Sequence, residues 1–475
     1  MGNNKQVAGQ LAALPSHGCA IIPHDRFAHL HYRLKQAGHL SEAESHRMTL
    51  KLDPLDQMVA DYSLVTNGYA GRAPNNPYPM LAEKRSTCPV MHGDILQQHQ
   101  VPSMADYMRT GRPVVSLFRY KDIHAVLMNP ADWQSYIVGD GFGAAVDNML
   151  LTAMDGSEHG AFRSTLQKPF MRPQIRKLID TLIRPVVIND FVDKLRPNGK
   201  ADLLREFALP FPIRAIYAYF GFPDDKDLLA NLASWAIQVV AAPQADPELA
   251  KITVPQSMVA GQSMYDTLLP VVQAYRARGE MREDILGYMM QAQHEGKMFT
   301  DEEITAYIRM LLLAAGETTT RSFANMMVQL LENPDILEEV RQDRTLIAKA
   351  VTETMRRDPT AGALGRIAAR DMEIGGIKIS KGTAVLLAIT AANRDPEVYK
   401  DPDRLWLTRP MRPLLSFGFG PHMCMGMHMA QAEMEVALDA MLDLPNLRFD
   451  PAFPPPEIRG LNLRGPDAIH VLWDS

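Results

Sequence analysis

Cysteine is scarce in this chain. Three occur in 475 residues, Cys19, Cys88 and Cys424, and no pair has CxxC spacing. That spacing excludes a zinc or iron–sulfur site built on clustered cysteines. An odd, sparse set also argues against a disulfide-stapled secreted domain, and a reducing, cytoplasmic setting is the expectation. Long apolar runs are missing too. No stretch of about 18 consecutive apolar residues occurs, so no membrane span is expected. The opening residues, MGNNKQVAGQLAALPSHG, hold no basic segment followed by an apolar core of the kind that marks a secretory signal. Basic charge is not in excess either: 49 Lys and Arg face 55 Asp and Glu, for a formal net charge of −6. That balance argues against a dedicated nucleic-acid binder. No GxGxxG opens a strand–helix unit, which excludes a dinucleotide-binding half, and no internal repeat is visible.

What is present reads as an ordinary globular chain, 46% hydrophobic and 22% charged. The pattern is mainly α with small β-sheets. Residues 1–52 read as an N-terminal extension of uncertain structure, and 53–475 as a single domain. Helical periodicity starts near Asp53 and again at Tyr78. Strands are expected near Val90 and from Pro113 to Arg119. Residues 92–112 look like a polar surface insertion, and the Gly- and Ala-rich stretch 136–154 like a mobile loop over a site. Most of 155–360 is helical. Its clearest helix runs from Asp301 to Glu332, behind a capping box of Thr300 and Glu303. Its interior, MLLLAAG, is apolar all round, which marks a buried central helix. Short strands follow at Ile374–Ile379 and Thr383–Ile389, then an irregular segment over 394–413, a helix over Met425–Leu442 and a strand at Ala468–Trp473.

One cysteine stands out by its surroundings. Residues 416–426 read SFGFGPHMCMG, with glycines and a proline around Cys424 and a helix starting just after it. A lone cysteine is usually inert core. Here the following helix offers free N–H groups to a thiolate, the glycines allow close backbone approach, and Phe417 can screen the loop from water. Those are the conditions under which a thiolate serves as an iron ligand.

Other groups stand upstream in order. Glu317 and Thr318 put an acid beside an alcohol inside the apolar helix, where polar groups need partners or a purpose. Glu353 and Arg356, three apart, share a helix face and can pair. His159 and Arg163, four apart, do the same. Arg366 and Arg409 are further cations. Lys168, Arg172, Arg176 and Lys177 make a basic cluster on a net acidic chain. It reads either as an ordinary solvated face or as a docking face for an acidic partner.

Phe417, Gly420, Cys424 and Gly426 fill every fixed place of FxxGxxxCxG, and His422 stands two before the cysteine. On these residues the chain resembles the soluble bacterial cytochromes P450, over roughly residues 53–475. Ala314 to Thr319 is similar to that family's central-helix motif, with Ala315 where glycine is common. Glu353–Arg356 matches its ExxR, and His159–Arg163 its HxxxR. The resemblance implies a haem b held between the central helix and the cysteine-loop helix, with Cys424 as axial ligand. It assigns the propionates to His159, Arg163, Arg366 and His422, and makes Glu353, Arg356 and Arg409 a structural triad. Thr318 would hold a water and Glu317 relay protons toward the oxygen site. Phe142, Val146, Met310, Ala314, Ala363 and Leu364 would line the substrate site. They carry no charge, which implies a small to medium hydrophobic substrate. The implied reaction is O₂-dependent insertion of one oxygen atom by hydroxylation or O-dealkylation. Electrons would come from a separate donor, a ferredoxin with its reductase, since the chain has no reductase half of its own. A peroxide-driven peroxygenase or a non-catalytic haem sensor of the same fold stands as the alternative.

Overall fold

A computed structural model describes residues 54–474, apart from 108–109, 140–142, 144–150, 223–224, 280–281 and 411. The extension expected over 1–52 lies outside the described residues, as do Phe142 and Val146. The helices that position the site are α1 (Pro54–Ala70), α2 (Gly156–Leu166), α3 (Arg172–Leu178), α4 (Pro210–Phe220), α5 (Lys226–Val240), α6 (Pro247–Arg278), α7 (Asp301–Leu331), α8 (Ile347–Arg357) and α9 (Met427–Met441). The expected capping box is formed at the head of α7. Thr300 Oγ1 accepts the Glu303 amide at 3.2 Å, and Glu303 Oε2 accepts the Thr300 amide at 2.8 Å. Two orphan N–H groups are thereby satisfied, and the 31 residues of α7 run about 46 Å. Helices α4, α5, α6, α8 and α9 all pack against α7, and α1 packs on α5.

The main sheet has the order β1 (Val90–His92), β2 (Val114–Leu117), β6 (Ala384–Ala388), β5 (Ala363–Ala368), β3 (Trp133–Gln134). The β2–β6 pair is parallel and joins segments far apart in the chain; the others are antiparallel. In β5, Arg366 stands opposite Val385. A second sheet orders β7 (Arg448–Phe449), β8 (His470–Leu472) and β4 (Lys200–Asp202). The single strand expected over Ile374–Ile379 is a hairpin of two three-residue strands. It turns at Gly375 and Gly376, whose φ values of +57° and +82° suit glycine.

The segment 92–112 departs from its reading as a surface insertion. Ile95, Leu96, Val101 and Ala105 are buried. The polar residues that made it look exposed are consumed internally. Asp94 caps a short helix through the amides of Leu96 and Gln97 and also takes the Ser103 hydroxyl. Ser103 in turn accepts the amides of Ala105 and Asp106. The Met104 carbonyl lies so close to Gly365 that a Cβ there would sit 2.0 Å from its oxygen. Buried polar groups that are hydrogen-bonded are compatible with a core position.

Candidate active site

The cysteine loop runs from β6 and the irregular segment into α9. Gly420 has φ +70°, and a Cβ on it would lie 2.5 Å from the Leu127 carbonyl oxygen. Conformation and space therefore both call for glycine there. The Cys424 amide donates to the Phe417 carbonyl at 2.8 Å, which closes the loop on the half-buried Phe417. The sulfur accepts the amides of Gly426 and Met427. Gly426 is the N-cap of α9, so the donors are the free N–H groups of a helix start. A Cβ on Gly426 would meet nothing within 4 Å.

The Cys424 side chain is exposed, while the protein packed around it pushes the thiol upward, against the amides of Gly426 and Met427 and the Arg163 charge, which pull it down. The central helix repeats the pattern: Ala314 and Thr318 are exposed in the middle of an otherwise buried helix. With the buried Met310 they fall at i, i+4 and i+8, one face of α7. The Thr318 hydroxyl donates to the Ala314 carbonyl at 2.8 Å.

The four residues expected at the propionates come together from three segments: His159 and Arg163 from α2, Arg366 from β5 and His422 from the cysteine loop. The rings of His159 on α2 and His422 in the cysteine loop stack with centroids 3.9 Å apart. His159 is pushed down to about 4 by burial, helped by His422, Arg163 and Arg366, while Asp155 opposes. Arg366 is buried and pushed down to about 10, again chiefly by burial, with Asp155 opposing. Its guanidinium bonds the Gly365 carbonyl. Arg163 donates to the Met423 carbonyl at 2.5 Å. Among the described residues, Nε2 of both histidines is buried with no hydrogen-bond partner; Asp155 Oδ1 stands 3.7 Å from His422 Nε2, beyond hydrogen-bond reach. Buried donors of this kind call for an anion. The set fits a haem, which brings two carboxylates and an iron that takes a thiolate.

Glu353, Arg356 and Arg409 are joined by hydrogen bonds. Arg356 Nε and Nη2 reach the two Glu353 oxygens at 2.8 and 2.9 Å, and Arg409 Nε reaches Oε1 at 3.0 Å. Arg356 also donates to the Asn393 carbonyl, and the Asn393 side chain holds the Leu415 amide and Ser416 hydroxyl. The triad thus connects α8 to the start of the cysteine loop. Sequence reasoning missed Asn393, which no spacing signalled, and Asp155, which stands at the N-cap position of α2. Asp155 does not cap that helix; it accepts the amides of Ser135 and Tyr136.

Glu317 lies elsewhere. It is buried and its Oε1 is held by Arg321 at 2.5–2.6 Å, so it faces away from Thr318, as neighbours about 100° apart on a helix do. Ala363 is buried on β5, and Leu364 beside it is half-buried near the cysteine loop, where a Cβ on Gly418 would lie 3.9 Å from Leu364 Cδ1. Lys168, Arg172, Arg176 and Lys177 are all exposed, and α3 packs on α9. No described helix is long and apolar enough to cross a membrane.

A family model for cytochrome P450 matches residues 256–466. Cytochrome P450 109 of Bacillus spizizenii is 30% identical over 69% of this chain and 78% of its own length. Cyclomarin C epoxidase CymV of Salinispora arenicola is 30% identical over 70% of this chain and 83% of its own. Among solved structures, CYP109B1 of Bacillus subtilis superposes with a TM-score of 0.70 at 25% identity, covering 86% of this chain and all of that one. On these matches the chain belongs to the cytochrome P450 family of monooxygenases.

Proposed function

We propose that this chain binds haem b through Cys424 and inserts one oxygen atom of O₂ into a small to medium hydrophobic molecule, by hydroxylation or O-dealkylation. The observation that carries this reading is the exposed sulfur of Cys424, hydrogen-bonded by the Gly426 and Met427 amides, with His159, Arg163, Arg366 and His422 grouped nearby. The chemistry haem supplies when bound is O₂ activation, which a thiolate ligand favours. His159, Arg163, Arg366 and His422 hold its propionates. The Gly426 and Met427 amides hold the thiolate, and the triad with Asn393 holds the loop. Thr318 presents its hydroxyl on the open face of α7 and positions a proton-carrying water, while Glu317 is the acid that relays protons. Met310, Ala314, Ala363 and Leu364 offer the substrate apolar contact only, as Phe142 and Val146 would. A terpenoid, an aromatic or an aryl ether suits that lining.

Electrons come from a ferredoxin and its reductase. The exposed cluster Lys168, Arg172, Arg176 and Lys177 beside α9 suits an acidic donor, whose encounter it would steer. The test is turnover of 7-ethoxycoumarin, as a probe aryl ether, under two supplies: O₂ with NADH, ferredoxin and reductase, or hydrogen peroxide alone. Dealkylated product is expected from the first and little from the second. Product mainly from peroxide would favour a peroxygenase, and none from either, with no binding shift for other hydrophobic probes, a haem sensor.

A further inference from the structure

The acid on the central helix is not free to swing. Arg321, one helical turn after Glu317, is fully buried. Its Nε and Nη2 both meet Glu317 Oε1, at 2.6 and 2.5 Å. The rest of the guanidinium is bound to α1: Nη1 donates to Thr66 Oγ1 at 3.0 Å, Nη2 reaches the Tyr62 carbonyl at 3.4 Å, and the Tyr62 ring lies 4.0 Å beneath it. Tyr62 is itself fixed by donating to the Pro466 carbonyl at 3.1 Å. Among the described residues, the buried Glu317 Oε2 and Tyr69 hydroxyl have no hydrogen-bond partner. The charges of Glu317 and Arg321 act on Tyr69, so the two lie in one neighbourhood.

A buried ion pair is a poor device for stability alone, because desolvation of both charges offsets their attraction and apolar replacements are often as stable. This pair sits on the proton-relaying acid of the proposed reaction. It leaves that acid one oxygen, Oε2, with no hydrogen-bond partner among the described residues.

We infer that Arg321 is a positioning residue for proton delivery: it holds Glu317 by Oε1 so that Oε2 receives protons arriving along the Tyr62–Thr66–Tyr69 face of α1. The inference rests on the monooxygenase reading. The groups facing Glu317 are Arg321 on its own helix and Tyr62 and Tyr69 on α1, with Asp202 of β4 acting on Tyr62. Burial pushes Glu317 up and Arg321 pulls it back, so removing the cation moves its titration further up.

The experiment uses the haem-loaded protein and the variants R321M, R321K, E317Q and E317Q/R321M. Reduced-CO spectra and thermal unfolding check the fold and the ligand. Infrared difference spectra across pH identify the Glu317 carboxyl band by its loss in E317Q. The fraction of NADH electrons released as hydrogen peroxide is measured with 7-ethoxycoumarin and surrogate ferredoxin and reductase. In R321M the titration midpoint is expected to rise by about one unit or more, and coupling to fall about tenfold. R321K should lie between R321M and the parent. If R321M does not fold, the double variant decides, since it leaves no unpaired charge. Coupling in it equal to that of E317Q supports the inference, and a further loss of the size R321K shows alone overturns it. An unmoved midpoint with unchanged coupling in folded R321M also overturns it. A normal thiolate CO spectrum in that variant would show that the monooxygenase reading survives.

Discussion

Glu353→Ala is expected to destabilise the protein by about 3–5 kcal/mol and to strip most of its haem. Glu353 is buried and accepts four hydrogen bonds: two from Arg356, one from Arg409 Nε and one from the Trp406 amide. Its removal leaves two guanidiniums with buried side chains and no carboxylate, which is the costly way to break an ion-pair network. Against a total stability on the order of 5–15 kcal/mol that is a large fraction. The damage should reach the haem because Arg356 holds Asn393 and Asn393 holds Leu415 and Ser416, at the start of the cysteine loop. Urea unfolding and the haem-to-protein ratio measure both effects. Glu353→Gln keeps one acceptor oxygen and should fall between. A Glu353→Ala protein with parental unfolding and full haem would contradict the role assigned to the triad.

Thr318→Ala is expected to keep fold and haem while lowering product per electron about tenfold or more, with the missing electrons released as peroxide. The hydroxyl bonds the Ala314 carbonyl within the same helix. Losing such a back-bond costs the helix little. The side chain is exposed, as is Ala314 one turn before it on the same face, so little packing is lost. The effect should therefore fall on proton positioning. Thr318→Ser should recover most of the coupling. Parental coupling in Thr318→Ala would remove the residue from the proton path.

What the sequence made legible follows from how local each signal is. The capping box of Thr300 and Glu303 lies within four residues, and it forms as read. The Gly420 and Cys424 loop lies within a dozen, and its conformation depends on its own glycines. In the 92–112 segment hydrophilic composition does not mean exposure, because Asp94 and Ser103 spend their polar atoms on nearby amides inside the fold. The strand carrying Arg366 went unrecognised because its partners are remote: β5 pairs with β6 and β3, and β6 with β2. Asp155 and Asn393 matter through long-range contacts that no spacing announces. Arg321 had a visible signal, an arginine four residues after a glutamate. On a surface helix that pair contributes only a few tenths of a kcal/mol, and burial is what gives it weight here.

Ligation of the haem iron by the Cys424 thiolate is read from the absorption spectrum of the reduced, CO-bound protein. The expected Soret band lies far to the red of that of a histidine-ligated haem, and returns to the histidine position in Cys424→His. A histidine-type band in the unaltered protein, or a red-shifted band that survives Cys424→His, would contradict that ligation.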